Sequence, residues 1–142
     1  MEAETDVDVC AKWSETLRVY HNTSCELENE LQSRHDLGRS EFEVLLILSR
    51  ECGAAAGGKA KMKDIEAEMY LSQSALSRTV TRLEKAGLVT RAACDFDRRA
   101  NFLMLTPAGL ERFEAAKPTH RAVLVKHLVD TTASQPAAAC SR

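Results

Sequence analysis

Apolar residues in the first quarter of the chain follow a helical rhythm. Trp13, Leu17, Tyr20, Leu27 and Leu31, with Ser24 in register, recur at alternating steps of four and three, which predicts one amphipathic helix from about Val7 to Arg34. A period of about 3.5 residues suits packing against another helix, including one from a second subunit; an ordinary intradomain helix accounts for it as well. Leu37-Gly38-Arg39-Ser40 reads as a helix stop followed by an N-cap. Glycine tolerates a left-handed terminus, Ser40 offers an acceptor to the next free amides, and Glu43 completes a capping box. From about Glu41 to Cys52 the residues Phe42, Val44, Leu45, Leu46, Ile47 and Leu48 are apolar nearly all round, which predicts the most buried helix.

The second half alternates short elements. Gly53 to Gly58 is a small-residue loop, Lys59 to Met62 can supply a short strand, and Lys63 to Tyr70 a short helix. Leu71-Ser72-Gln73-Ser74 is a tight turn, with Ser72 or Gln73 at the start of a third core-facing helix that runs to Lys85 and stops at Gly87. Two helices joined by so short a turn suggest a helix-turn-helix. Leu88 to Ala93 and Asn101 to Leu105 are strand-like around a polar turn, Cys94 to Arg99, which makes a β-hairpin wing. Thr106-Pro107 caps a last helix carrying Leu110, Phe113, Val123, Leu124 and Leu128, and Pro118 within it should kink or divide it. Residues 131–142 form a polar, alanine-rich tail expected to fray. The expected fold is mainly α with a small β-wing, in one domain: a lobe over about 41–106, flanked by helices over about 7–35 and 107–130.

Composition narrows the function. With 142 residues, 44% apolar and 28% charged, the chain is long enough for one packed core. No stretch is long and apolar enough for a membrane span and the N-terminus is acidic, so no membrane role and a cytoplasmic location are expected. Five scattered cysteines without a Cys-x-x-Cys pair predict reduced thiols, not a disulfide framework or a zinc finger. His21, His35, His120 and His127 lack metal-ligand spacing, so no metal or cofactor is expected. No nucleophile elbow, phosphate loop or His-Glu-x-x-His motif is present, which argues against an enzyme.

A net charge of -2 is a poor sign for a nucleic-acid binder, but the charge is segregated. Residues 1–58 hold 5 basic against 12 acidic side chains; between Leu71 and Arg99 the balance is 6 to 3 in favour of basic. Within that stretch, on the helix over about 74–86, Leu76, Val80 and Leu83 face inward while Ser74, Ser77, Arg78, Thr81, Arg82 and Lys85 form a continuous polar strip. Arginine grips guanine in bidentate fashion and hydroxyls serve bases or phosphates, so the strip suits the major groove, with Arg78 and Arg82 leading. A solvated polar face is the bland alternative. At the hairpin tip Arg98 and Arg99 are candidates for the minor groove, Arg99 foremost, and Asp97 for orienting them.

The stretches Leu71-Ser72-Gln73-Ser74-Ala75-Leu76-Ser77-Arg78, Arg82-Leu83-Glu84-Lys85-Ala86-Gly87-Leu88-Val89, Asp97-Arg98-Arg99 and Leu105-Thr106-Pro107-Ala108-Gly109 resemble the MarR family of winged helix regulators, and closely its actinobacterial-type subgroup. The resemblance covers about Trp13 to His127. It implies a homodimer joined by the first and last helices, two lobes on successive major grooves of a pseudo-palindromic operator, and repression relieved by a small aromatic or phenolic effector bound between interface and lobe. The chain departs from the family pattern after Val129, where no apolar stripe continues the interface, and at Glu66, where a small residue is usual.

Trp13, Tyr20 and His21 could line an effector cleft or simply pack at the interface. Cys94, beside Arg91, Arg98 and Arg99, could be a redox-sensitive thiol or a small strand-end residue. The reading is a DNA-binding repressor. Its rivals are a winged-helix protein-interaction module and a dimerisation-defective antagonist of a full-length relative.

Overall fold

The computed structural model describes residues 2–51, 59–93 and 101–129. The elements run α1 (Glu2–His35), α2 (Arg39–Glu51), β1 (Lys59–Lys61), α3 (Met62–Glu68), α4 (Gln73–Lys85), β2 (Val89–Ala93), β3 (Asn101–Leu105) and α5 (Pro107–Leu128). The molecule is therefore mainly helical, with one small antiparallel sheet in the order β1-β3-β2. In that sheet Ala60 pairs with Leu103 and Val89 with Leu105, and the inward side chains of all three strands close one side of the core.

The apolar run on α2 has the burial its pattern predicts: Phe42, Val44, Leu45 and Leu48 are almost wholly out of solvent. Around them pack Leu31 of α1, Ile65 of α3, Leu76, Val80 and Leu83 of α4, and Phe113 of α5. Each such side chain contributes about 1.5–3 kcal/mol by leaving water, so α2 is the hub on which the other elements rest. Phe113 stacks on Phe42, with ring centroids 5.2 Å apart.

The connection from α1 to α2 departs from the sequence expectation. The left-handed residue is Asp36 (φ 54), not Gly38, and Gln32 Nε2 donates to its carboxylate at 3.0 Å; a short polar side chain tolerates that conformation. Helix α2 also begins before Ser40. Its exposed Arg39 amide donates to Glu28 Oε2 of α1 at 2.9 Å, and Glu43 pairs with Arg39 at 3.1 Å in place of closing a capping box. The start of α2 is thus held by a carboxylate of the neighbouring helix.

Helix α5 runs through Pro118 without a break. Pro118 and Glu114, whose carbonyl loses its donor to the proline, both face solvent, while Phe113, Ala116 and Val123 anchor the inner side. Water can satisfy the orphaned carbonyl there, which removes the main reason to divide the helix. Helices α1 and α5 pack antiparallel. Arg112 Nη1 donates to the His35 carbonyl at 3.0 Å, His35 and Thr119 share a hydrogen bond of 2.7 Å, and further along Glu26 accepts from both Lys126 and His127. The first five turns of α1 thus extend beyond the end of α5, and every side chain from Asp8 to Arg18 is exposed.

Candidate nucleic-acid interface

Local chemistry sets both ends of α4. Ser72 Oγ accepts from the Ala75 amide at 3.2 Å, so Ser72 is the N-cap. At the other end Gly87 takes φ 76, its amide reaching the Glu84 carbonyl and the Leu88 amide the Leu83 carbonyl. That pair of bonds is a Schellman stop, and Leu83 and Leu88 make its buried apolar contact.

Between these ends Leu76, Thr79, Val80 and Leu83 face the core. Helical geometry then puts Ser74, Arg78, Thr81 and Lys85 on the opposite side, with Ser77 and Arg82 on its flanks. Ser74, Ser77, Arg78, Arg82 and Lys85 are exposed. Among the described residues Arg78 and Lys85 make no ion pair, which leaves both cations free to meet an external anion. Thr81 is half-buried, and its hydroxyl donates back to the Ser77 carbonyl at 2.9 Å.

The flanks are tied to neighbouring elements. Arg82 Nε lies 3.2 Å from Glu41 Oε1 on the first turn of α2. On the other side Arg91 of β2 reaches Glu84 (3.5 Å) and the Thr81 hydroxyl (3.4 Å). Neither Glu41 nor Arg91 stands out in the sequence as part of this surface. Arg91 carried one available signal, a basic residue at the start of the hairpin; Glu41 carried none, because its partner is far along the chain.

Strands β2 and β3 form the predicted hairpin stem, Ala92 pairing with Phe102 and Ala93 with Asn101. Cys94, Asp97, Arg98 and Arg99, the candidate wing residues, lie outside the described residues. The stem is fastened to α4 through the start of α5. Thr106 Oγ1 donates to the Gly87 carbonyl at 2.7 Å and accepts from the Gly109 amide at 3.0 Å, while the Thr106 amide donates to the Leu88 carbonyl at 3.1 Å. A Cβ at Gly109 would fall 2.0 Å from the Leu88 carbonyl oxygen. The Thr-x-x-Gly spacing is thus a close backbone contact between α5 and the end of α4.

Trp13, Tyr20 and His21 are all exposed on α1. With Val9 and Leu17 they form an uncovered apolar edge, and Val125, Leu128 and Val129 add exposed apolar surface at the end of α5. His21 Nε2 lies 3.8 Å from Cys25 Sγ. Cys10 is a free, exposed thiol. Among the described residues no group of His, Cys, Asp or Glu is placed to hold a metal ion, and no helix is long and apolar enough to cross a membrane. Glu66 is exposed on α3, where Ile65 makes the buried contact.

Known proteins resemble this chain in sequence and fold. The family model of the MarR family matches residues 35–100. A curated relative from Bacillus cereus, an uncharacterized HTH-type transcriptional regulator, is 29% identical over 106 residues; the match spans 75% of this chain but only 65% of the relative's length. Among solved structures, AbsC, a MarR family transcriptional regulator from Streptomyces coelicolor, is 35% identical over 91% of this chain and 83% of its own, with a TM-score of 0.75. A second MarR family regulator from that organism, solved in complex with DNA, is alike in fold, with a TM-score of 0.77, 23% identity, and coverage of 90% and 78%.

Proposed function

This chain belongs to the MarR family, and from that premise we propose that it is a cytoplasmic, sequence-specific DNA-binding regulator that acts as a homodimer and carries out no catalytic step. The observation that carries the proposal is the outward face of α4, where Ser74, Arg78 and Lys85 stand exposed with both cations unpaired among the described residues. A helix of this kind fits the major groove. Arg78 reads bases, Lys85 and the serine hydroxyls hold phosphates, and Arg98 and Arg99 reach the adjacent minor groove with Asp97 orienting them. Residues 41–106 form the DNA-binding lobe.

Dimerisation falls to α1 and the end of α5. A helix whose first five turns project from the molecule gains little stability alone, and the row Val9, Trp13, Leu17 and Tyr20 supports a helix from a second copy as its cover. The two recognition helices then enter successive major grooves of a pseudo-palindromic operator, roughly one helical turn apart. Kinship with AbsC, at 35% identity, supports placing the chain in the actinobacterial-type subgroup. Repression relieved by a small aromatic or phenolic effector extends the same proposal, with Trp13, Tyr20 and His21 enclosed only once the dimer forms.

The test is selection of duplexes from a random pool, followed by salt titrations of binding to the recovered sequence and to unrelated DNA, with mass in solution recorded in parallel. A dimer that prefers the selected duplex by about 10³-fold or more, with a steep salt dependence, is expected. A monomer that binds no duplex selectively would leave the protein-interaction reading in its place.

A further inference from the structure

Arg82 belongs to the polar side of α4 but not to its centre, and its surroundings differ from those of Arg78 and Lys85. Its guanidinium lies 3.2 Å from the Glu41 carboxylate, whose side chain is only 14% exposed while that of Arg82 is 61% exposed. Both line a cleft with Glu28, Gln32, Asp36 and Ser40. Among the described residues, Glu28, Asp36 and Glu41 line the cleft with Arg82 as its one basic residue, a charge balance that favours Arg82 there and disfavours an approaching phosphate. Glu41 sits on the first turn of α2, where the helix favours its negative charge. Meanwhile Glu28 caps the Arg39 amide, which ties this end of α2 to α1.

We propose that Glu41 restrains Arg82 from gripping the DNA backbone, so that Arg82 is a held cation on the flank of the recognition helix and Glu41 a specificity-determining residue. The inference rests on the groove reading of α4 given above. Its consequence is economical: a cation on the flank of a recognition helix adds phosphate affinity to every sequence alike, and neutralising it by a carboxylate of the protein leaves discrimination to Arg78.

The experiment compares Glu41→Gln, Arg82→Ala, their double variant and Arg78→Ala, each titrated with salt against a selected duplex and an unrelated one, with thermal unfolding run alongside. Glu41→Gln is expected to tighten binding to the unrelated duplex by about twofold to fivefold, the worth of an exposed ion pair. Its salt slope should steepen by about 0.9, one further phosphate neutralised. In the Arg82→Ala background the same change should have no effect on DNA binding, and Arg82→Ala alone should keep the preference for the selected duplex that Arg78→Ala loses. Glu41→Asp, which keeps the charge on a shorter arm, should show a smaller change in the same direction and serves if Glu41→Gln does not fold. Unchanged or weaker binding of folded Glu41→Gln to unrelated DNA overturns the proposal, as does a loss of preference in Arg82→Ala equal to that in Arg78→Ala. If Arg78→Ala keeps full preference, the groove reading itself fails; if the wild type binds neither duplex, both fail together.

Discussion

The His120 imidazole of α5 stacks on the Phe42 ring of α2, with centroids 4.2 Å apart and planes inclined by 25°. Burial in that position holds its pKa below the ordinary 6.5, because a charged imidazole loses hydration there. The folded state therefore binds fewer protons than the unfolded chain between the lowered value and 6.5, and stability falls as pH drops through that range. Glu26 acts lower on the scale. Burial pushes its carboxyl up, but hydrogen bonds and charges from Lys126 and His127 outweigh this and hold it below 4.5. Its contribution is complete above 4.5 and is lost as pH falls through the folded value. Thermal unfolding in buffers spanning both ranges should show two stages of loss, the first removed by His120→Phe and the second by Glu26→Gln. A first stage that persists unchanged in His120→Phe counts against this assignment.

Gly109 and Gly87 should respond differently to alanine. At Gly109 the added methyl meets backbone, the Leu88 carbonyl, at 2.0 Å, and the α5–α4 fastening must move; a cost of about 3 kcal/mol is expected. At Gly87 the space is open and only the φ of 76 opposes a side chain, so about 1–2 kcal/mol is expected. Chemical denaturation of both variants measures the difference, and equal midpoints would show that the close contact carries no strain.

Arg78→Ala should weaken binding to a selected duplex by about 1–3 kcal/mol and relax base preference at one position. Lys85→Ala should instead weaken all sequences alike and reduce the salt slope by about 1. Fluorescence anisotropy titrations at several salt concentrations separate these patterns. The same pattern in both variants would remove the distinction drawn between base reader and phosphate holder.

Trp13→Glu or Leu17→Glu places a charge in the exposed row of α1 and should convert the dimer to monomer, because an unpaired charge at a helix seam loses its hydration on association. Sedimentation equilibrium checks this. Operator binding should fall with it, since one lobe alone engages half a site; a variant that stays dimeric would move the interface elsewhere.

What the sequence determined by itself was whatever short-range physics controls. Ser72 and Gly87 bound α4 because a cap and a left-handed stop act within a few residues, and the inward set Leu76, Val80 and Leu83 follows from the helical period. The same holds for the apolar run of α2, the paired strands around the wing, and the Thr106-Pro107 start of α5. Tertiary structure decided matters that depend on residues far apart in the chain. The stripe on α1 is continuous in sequence, yet Leu27 and Leu31 are buried within the molecule while Trp13, Leu17 and Tyr20 are left in solvent, because α5 ends where it does. Helix α2 begins at Arg39, before the expected cap Ser40, with Glu28 of α1 accepting from the Arg39 amide, and Asp36 took the left-handed turn expected of Gly38. Arg82 and Arg78 are the same residue type on the polar side of α4, yet Arg82 lies on the flank that Glu41 approaches from α2, while among the described residues Arg78 makes no ion pair. Period and capping are properties of a segment, whereas the partner of a charge is set by which segments the core brings together.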